Sequence, residues 1–178
     1  MDDVILTGSA IVMELPSPVK EKIQKLRERF DPVLADNIPV EITIAGSSGL
    51  GTLVPQQSSQ LIIAELYRIA KKQPVITARL GSVFRFPDSD VYALSVDPID
   101  PFLEFHRKLI RSPIKFGRSP YPFKPHCSLH IWGKVSCGEA VALFGTELRD
   151  SFQLNSFALY QLIGDKTVAL VERFYLNA

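Results

Sequence analysis

The sequence predicts an α+β fold built from two similar lobes. Three observations predict it. Strand-like runs of branched residues alternate with amphipathic helical segments. Neighbouring strands are joined by connectors short enough for hairpins. The order strand, helix, strand recurs in the two halves of the chain. A strand ending at Leu15-Pro16 matches one ending at Asp97-Pro98; 41 − 16 = 25 positions separate Pro16 from Glu41, and 126 − 98 = 28 separate Pro98 from His126. No identity-level repeat exists, so what is duplicated is architecture. The 178 residues fit one compact domain, 1–178, with repeats over 1–89 and 90–178.

Each element has a local reason. Residues 4–15 are rich in branched side chains and read as a strand; Ser17-Pro18 then caps a helix with Val19, Ile23, Leu26 and Phe30 on one face. A strand follows at Val40–Ala45. The Gly-, Ser- and Pro-containing stretch 46–58 reads as a long loop, and Leu61 to Lys72 as a helix. Strands near 75–86 and 90–96 flank Pro87-Asp88-Ser89-Asp90, which has turn composition. The second half gives a helix at 99–111 with Phe102, Phe105 and Leu109 on one face, then a strand at His126–Trp132. Ser136-Cys137-Gly138-Glu139 is a capping-box pattern that opens a helix presenting Val141, Phe144 and Leu148. Strands near 151–163 and 166–176 meet at a Gly164-Asp165 turn.

Composition narrows the function. The formal net charge is +1, so overall charge singles out neither a nucleic-acid binder nor a protein for acidic substrates. The charge is distributed unevenly: Phe105 to Gly138 contains no Asp or Glu, while Arg107, Lys108, Arg111, Lys115, Arg118, Lys124, Lys134 and all three histidines lie there. That stretch attracts anions. The start Met1-Asp2-Asp3 lacks a signal-peptide pattern, and no apolar run approaches the roughly 18 residues that span a bilayer. Two cysteines, Cys127 and Cys137, make neither a disulfide scaffold nor a zinc site. The expectation is a cytoplasmic monomer without membrane, metal or cofactor.

The chemistry concentrates on two strands. Alternation puts His126, Ser128 and His130 on one face, with Cys127, Leu129 and Ile131 on the other. A histidine-bearing polar face beside the basic loop from Arg118 through Tyr121, Phe123 and Lys124 suits phosphate. Hydroxyl and cationic donors hold its oxygens while an imidazole moves a proton. Glu41 and Thr43 likewise share a face, backed by Ile42 and Ile44.

At these residues the sequence resembles the 2H phosphoesterases, the superfamily of 2'-5' RNA ligase-like proteins and cyclic phosphodiesterases. That family carries two His-x-Thr/Ser-x motifs, one per lobe, facing each other across a cleft. Here the second stands as His126-Cys127-Ser128-Leu129, preceded by Pro125; the first is Glu41-Ile42-Thr43-Ile44, 126 − 41 = 85 positions earlier. The resemblance implies a bilobal pseudo-two-fold repeat, each lobe a mainly antiparallel sheet with two flanking helices, around a central cleft. It implies a proton-transfer role for His126 and phosphate-oxygen donors in Ser128 and Thr43, acting on 2',3'-cyclic phosphate or 2'-5' phosphodiester linkages. The partner would be a nucleotide or an RNA terminus bearing phosphate.

Glu41 stands where the family has its first histidine, and three readings of it stay open: a solvated strand residue, a salt-bridge partner for His126, or a substituted base. A carboxylate about 4 Å from a phosphate charge costs on the order of 4 kcal/mol at an effective dielectric near 20. Lys124, Arg118 or a protonated His130 could offset it. As a base, a glutamate with an ordinary pKa of about 4.3, against about 6.5 for histidine, would move the acidic limb of activity to lower pH. The rival to an enzyme is a binding module of the same fold that holds a nucleotide or RNA end without turnover. Tyr121, Phe123 and His130 are possible cleft residues; His106 reads as a surface residue of its helix, and Trp132 as core.

Overall fold

The computed structural model describes Leu6 and residues 8–177. Strand β1 (Ser9–Glu14) is followed by α1 (Val19–Phe30), the short α2 (Pro32–Asn37) and β2 (Glu41–Ala45). Strand β3 (Leu50–Leu53) and α3 (Ser59–Ala70) lead to the hairpin of β4 (Ile76–Arg85) and β5 (Tyr92–Asp97). Then come α4 (Asp100–Ile110), β6 (Phe116–Arg118), β7 (His126–His130) and α5 (Cys137–Phe144). Strands β8 (Ser151–Leu154), β9 (Ser156–Ile163) and β10 (Thr167–Tyr175) close the chain. Of the strand expected over 4–15, Val4, Ile5 and Thr7 lie outside the described residues.

Two four-stranded antiparallel sheets carry the fold, in the orders β10-β9-β1-β2 and β7-β5-β4-β8, with β3 and β6 forming a separate two-stranded ribbon. Strand β2 edges one sheet beside β1 as β7 edges the other beside β5, and this is the pseudo-two-fold correspondence. Each sheet draws strands from both halves of the chain. The helices cross over too: α1 lies against β7 and α5 against β4, while α4 lies against β2 and α3 against β10. Each lobe is therefore an antiparallel sheet with two main helices, as the α+β reading expects.

Period-two alternation fixes which side of each strand is covered. Ile11 and Met13 on β1, Ile42 and Ile44 on β2, and Phe157 and Leu159 on β9 are fully buried beneath α3 and α4. Phe105 of α4 meets the Phe157 ring at 5.0 Å. Burying each such side chain contributes about 1.5–3 kcal/mol. The opposite faces of β2 and β7 carry Glu41 and Thr43, and His126 and Ser128.

Several expectations change. The stretch 46–58 is not a plain loop, because Leu50–Leu53 pairs with Phe116–Arg118 where Gly51 and Gly117 let the backbones close in; a Cβ on Gly51 would sit 3.0 Å from the Gly117 backbone. The strand expected over 151–163 breaks at Asn155, so that β8 joins one sheet and β9 the other. Helix α1 begins at Val19 without a side-chain cap, and the Ser17 hydroxyl donates instead to Glu21 at 2.5 Å. The capping box of α5 forms as the pattern predicts. Its buried face differs, however: the helix lasts only to Phe144, and Leu143 turns inward while Val141 and Phe144 stay exposed. Trp132 is half-buried beyond the end of β7, with the Lys166 ammonium 5.1 Å from its ring centroid, and is not a core residue. Among the described residues, no helix is long and apolar enough to cross a membrane.

Candidate active site between the two edge strands

The two edge strands lie against each other. A buried cation from α1 ties them together. Arg27 Nε donates to the Ser128 carbonyl at 2.9 Å, and Nη1 donates to the Ile38 and Pro39 carbonyls, both at 2.9 Å, just before β2. Nη2 lies 3.9 Å from the Cys127 Sγ. One fully buried guanidinium thus ties the backbone of the second half-motif to the segment that leads into the first. Below it, Asp31 caps α2 through Leu34 N–H and accepts from the Ile131 and Trp132 N–H groups at 2.9 Å, anchoring the far end of β7.

Glu41 is buried, and the Thr43 hydroxyl lies 3.0 and 3.1 Å from its two carboxyl oxygens. Burial pushes its pKa up to about 7; the Arg27 charge and the Thr43 hydrogen bond oppose this and nearby Glu14 adds to it. The solvated-strand reading of Glu41 fails at this point. A carboxyl raised to about 7 is no ordinary glutamate, so the premise behind an acidic limb set by a pKa of about 4.3 does not hold.

His126 opens β7 opposite Ser95, partly accessible. Its Nδ1 sits 2.6 Å from the Lys124 carbonyl. A carbonyl only accepts, so Nδ1 carries the proton and the neutral ring leaves an Nε2 lone pair. Burial lowers the His126 pKa, with the Lys124 carbonyl opposing. Phe84 and Phe86 of β4 and its exit set their edges against the ring, at 6.2 and 5.0 Å between centroids. The Lys124 ammonium lies 3.4 Å from the Phe84 centroid, so this cation is fixed beside the histidine.

The remaining predicted residues divide. Ser128 shares its face with His126, opposite Ala93. His130 departs from the expected alternation because the register shifts beside it: it pairs with Tyr92 on the opposite face, is buried, and its Nδ1 meets the Asp90 carbonyl at 2.8 Å. Arg118 is exposed on the ribbon and Tyr121 on the loop after it, and among the described residues no hydrogen bond or ion pair joins either side chain to Glu41 or His126. Phe123 stacks face to face on His106, 3.9 Å between centroids. His106 is buried, not a surface residue, with Nδ1 at 2.7 Å from the Ile44 carbonyl. The loop after β2 fits over this pair only because Gly49, at φ +67°, has no side chain; a Cβ there would meet His106 Nε2 at 2.5 Å.

Sequence reasoning missed Arg27, Phe84, Phe86 and a polar group on β1, β9 and β10. Arg27 did leave a signal: it occupies an interior slot of the apolar stripe Val19, Ile23, Arg27, Phe30. Among the described residues, no three His, Cys, Asp or Glu side chains converge as metal ligands.

The family model of the 2'-5' RNA ligase superfamily matches residues 15–165, most of the chain. The chain belongs to this superfamily. The resemblance read from Glu41-Ile42-Thr43-Ile44 and His126-Cys127-Ser128-Leu129 is thereby shown at the level of family. No curated protein matches the chain by sequence. Among solved structures, E. coli LigT in complex with 3'-AMP is 22% identical with a TM-score of 0.63, the match covering 96% of this chain and 98% of LigT. TT0787 of Thermus thermophilus is 17% identical with a TM-score of 0.62, covering 94% and 97%. At these identities the likeness to solved structures shows the fold that this member of the 2'-5' RNA ligase superfamily shares with them.

Proposed function

We propose that the protein is a metal-independent phosphoesterase acting on 2',3'-cyclic phosphate or 2'-5' phosphodiester linkages of RNA or nucleotides, with His126 as general base and Glu41 as general acid. The observation that carries this reading is Glu41: a carboxyl raised by burial to about 7, on the strand packed against the one bearing His126. Two groups whose environments move them in opposite senses make an acid and base pair. The lowered histidine is neutral near neutral pH and offers Nε2, while the raised carboxyl keeps its proton in about half of the molecules there and in more of them at lower pH.

In hydrolysis of a 2',3'-cyclic phosphate, His126 Nε2 takes a proton from water as its oxygen bonds to phosphorus. The bond from phosphorus to one ribose oxygen breaks, and that oxygen receives the Glu41 proton, leaving a phosphomonoester. Thr43 and Ser128 hydroxyls orient the phosphate oxygens. Lys124 supplies positive charge, with Arg118 of the β3 and β6 ribbon as a second cation for the phosphate. A protonated Glu41 also removes most of the repulsion that a carboxylate would exert on the substrate. Crystals of E. coli LigT with 3'-AMP, with phosphate and with ATP support a nucleotide phosphate as the ligand class.

His126→Ala is expected to abolish hydrolysis of a 2',3'-cyclic nucleotide. A wild type as inert as the variant on a panel of cyclic and 2'-5' substrates contradicts catalysis. The replacement of the family's histidine by Glu41 favours one second reading, an impaired protein that binds nucleotide or RNA ends. Saturable, salt-sensitive binding of a labelled RNA terminus without product identifies it.

A further inference from the structure

The register of β1 on β2 sets Glu14 directly opposite Glu41, so two carboxyl groups share one sheet face at adjacent positions. Like charges in that arrangement are destabilising, and the sheet separates their fates. Glu14 receives the Tyr160 hydroxyl from β9 and pairs with the Arg173 guanidinium from β10 at 2.5 Å. Glu41 instead takes a neutral donor, the Thr43 hydroxyl, and among the described residues no cation is bonded to it. The groups around Glu41 come from four elements: Glu14 on β1, Thr43 on β2, Arg27 on α1 and Cys127 on β7. Arg27 spends its donors on the carbonyls of Ser128, Ile38 and Pro39.

We propose that Glu14, clamped by Tyr160 and Arg173, is a positioning residue for the site: it is the ion-paired carboxylate of the pair and leaves the proton to Glu41. The inference rests on the catalytic reading of Glu41 above and adds a layer to it. Three strands of one sheet, β1, β9 and β10, contribute the clamp, and none of its side chains needs to touch the reacting phosphate. Tyr160 is suited to hold its proton and donate steadily, since burial and then its bond to Glu14 both raise its pKa. Glu14 also figures among the groups that push Glu41 upward, after burial.

The arrangement makes a prediction with two signs. Glu14→Gln removes the negative neighbour and leaves Arg173 behind, so Glu41 should lose its proton at lower pH, by about half to one pH unit. Arg173→Gln strips the clamp's cation, so the last carboxyl proton of the pair should leave at higher pH. Carbon-13 NMR of glutamate-labelled protein, with the Glu41 signal assigned through Glu41→Gln, reads both shifts without any need for turnover. Opposite shifts are expected. Shifts of the same sign, or none, overturn the proposal; should Glu14→Gln fail to fold, an Arg173→Gln titration that stays put or moves down does so alone. A wild type that hydrolyses no cyclic or 2'-5' substrate would sink the catalytic reading while the titration still decides the role of Glu14.

Discussion

Glu41 carries an energetic consequence separate from chemistry. Its carboxyl rises from 4.5 to about 7 on folding, which is worth roughly 3 kcal/mol at about 1.36 kcal/mol per pH unit. The folded protein holds this proton to higher pH than the unfolded chain does, so the cost is absent below about 4.5 and grows as pH rises to about 7. Glu41→Gln should therefore be more stable than wild type at pH 8, by up to about 3 kcal/mol more than at pH 5. Urea melts at the two pH values measure this; an equal difference at both would mean that Glu41 is not a desolvated acid. His126 works the other way: its pKa is lowered by burial, so stability falls as the pH drops below its ordinary range and the ring must charge. Alternation in the sequence was enough to pair Glu41 with Thr43 and His126 with Ser128. It could not show the value near 7, because that burial is a product of tertiary packing, with β7, remote in sequence, lying against β2.

At the scale of elements, α1 matters most to the site. It binds β7 and the entry to β2 through one side chain, Arg27, whose hydrogen bonds reach Ser128, Ile38 and Pro39. Arg27→Met would leave three carbonyl groups without these donors, and a loss of about 3–5 kcal/mol in unfolding free energy is expected. A variant as stable as wild type in a denaturant titration would show that the strands need no such clasp. The long helices and most strands were legible from apolar period, as in Val19, Ile23 and Phe30, and α5 from its capping box. The ribbon of β3 and β6 was not, since each strand is too short for a periodic signal and exists only through its partner. His106 was misread for a related reason: charged neighbours on α4 suggested a solvated face, whereas Phe123 and the Gly49 loop cover it.

At the scale of the molecule, the lobes interlock. The sheet of β1 and β2 is completed by β9 and β10, and the sheet of β5 and β7 takes β4 from the first half of the chain. We expect a single cooperative unfolding transition, with circular dichroism and Trp132 fluorescence coincident, and no folded product from residues 1–89 alone. Two separated transitions, or a well-dispersed spectrum from that fragment, would show that the lobes are independent. The repeat of spacing from Pro16 to Glu41 and from Pro98 to His126 made the duplicated plan visible. The crossing of α1 and α4 onto opposite sheets left no local trace, being a property of chain routing rather than of side-chain pattern.

In the proposed chemistry Glu41 and His126 act as acid and base across the two edge strands, and the pH dependence of kcat/KM for a 2',3'-cyclic nucleotide tests this most directly. A bell is expected whose acidic limb reports His126, below its usual range, and whose basic limb falls near the Glu41 value of about 7. Glu41→Gln should lose about 100-fold or more in rate together with the basic limb. A Glu41→Gln enzyme with the wild-type rate and an unchanged profile would contradict the pairing.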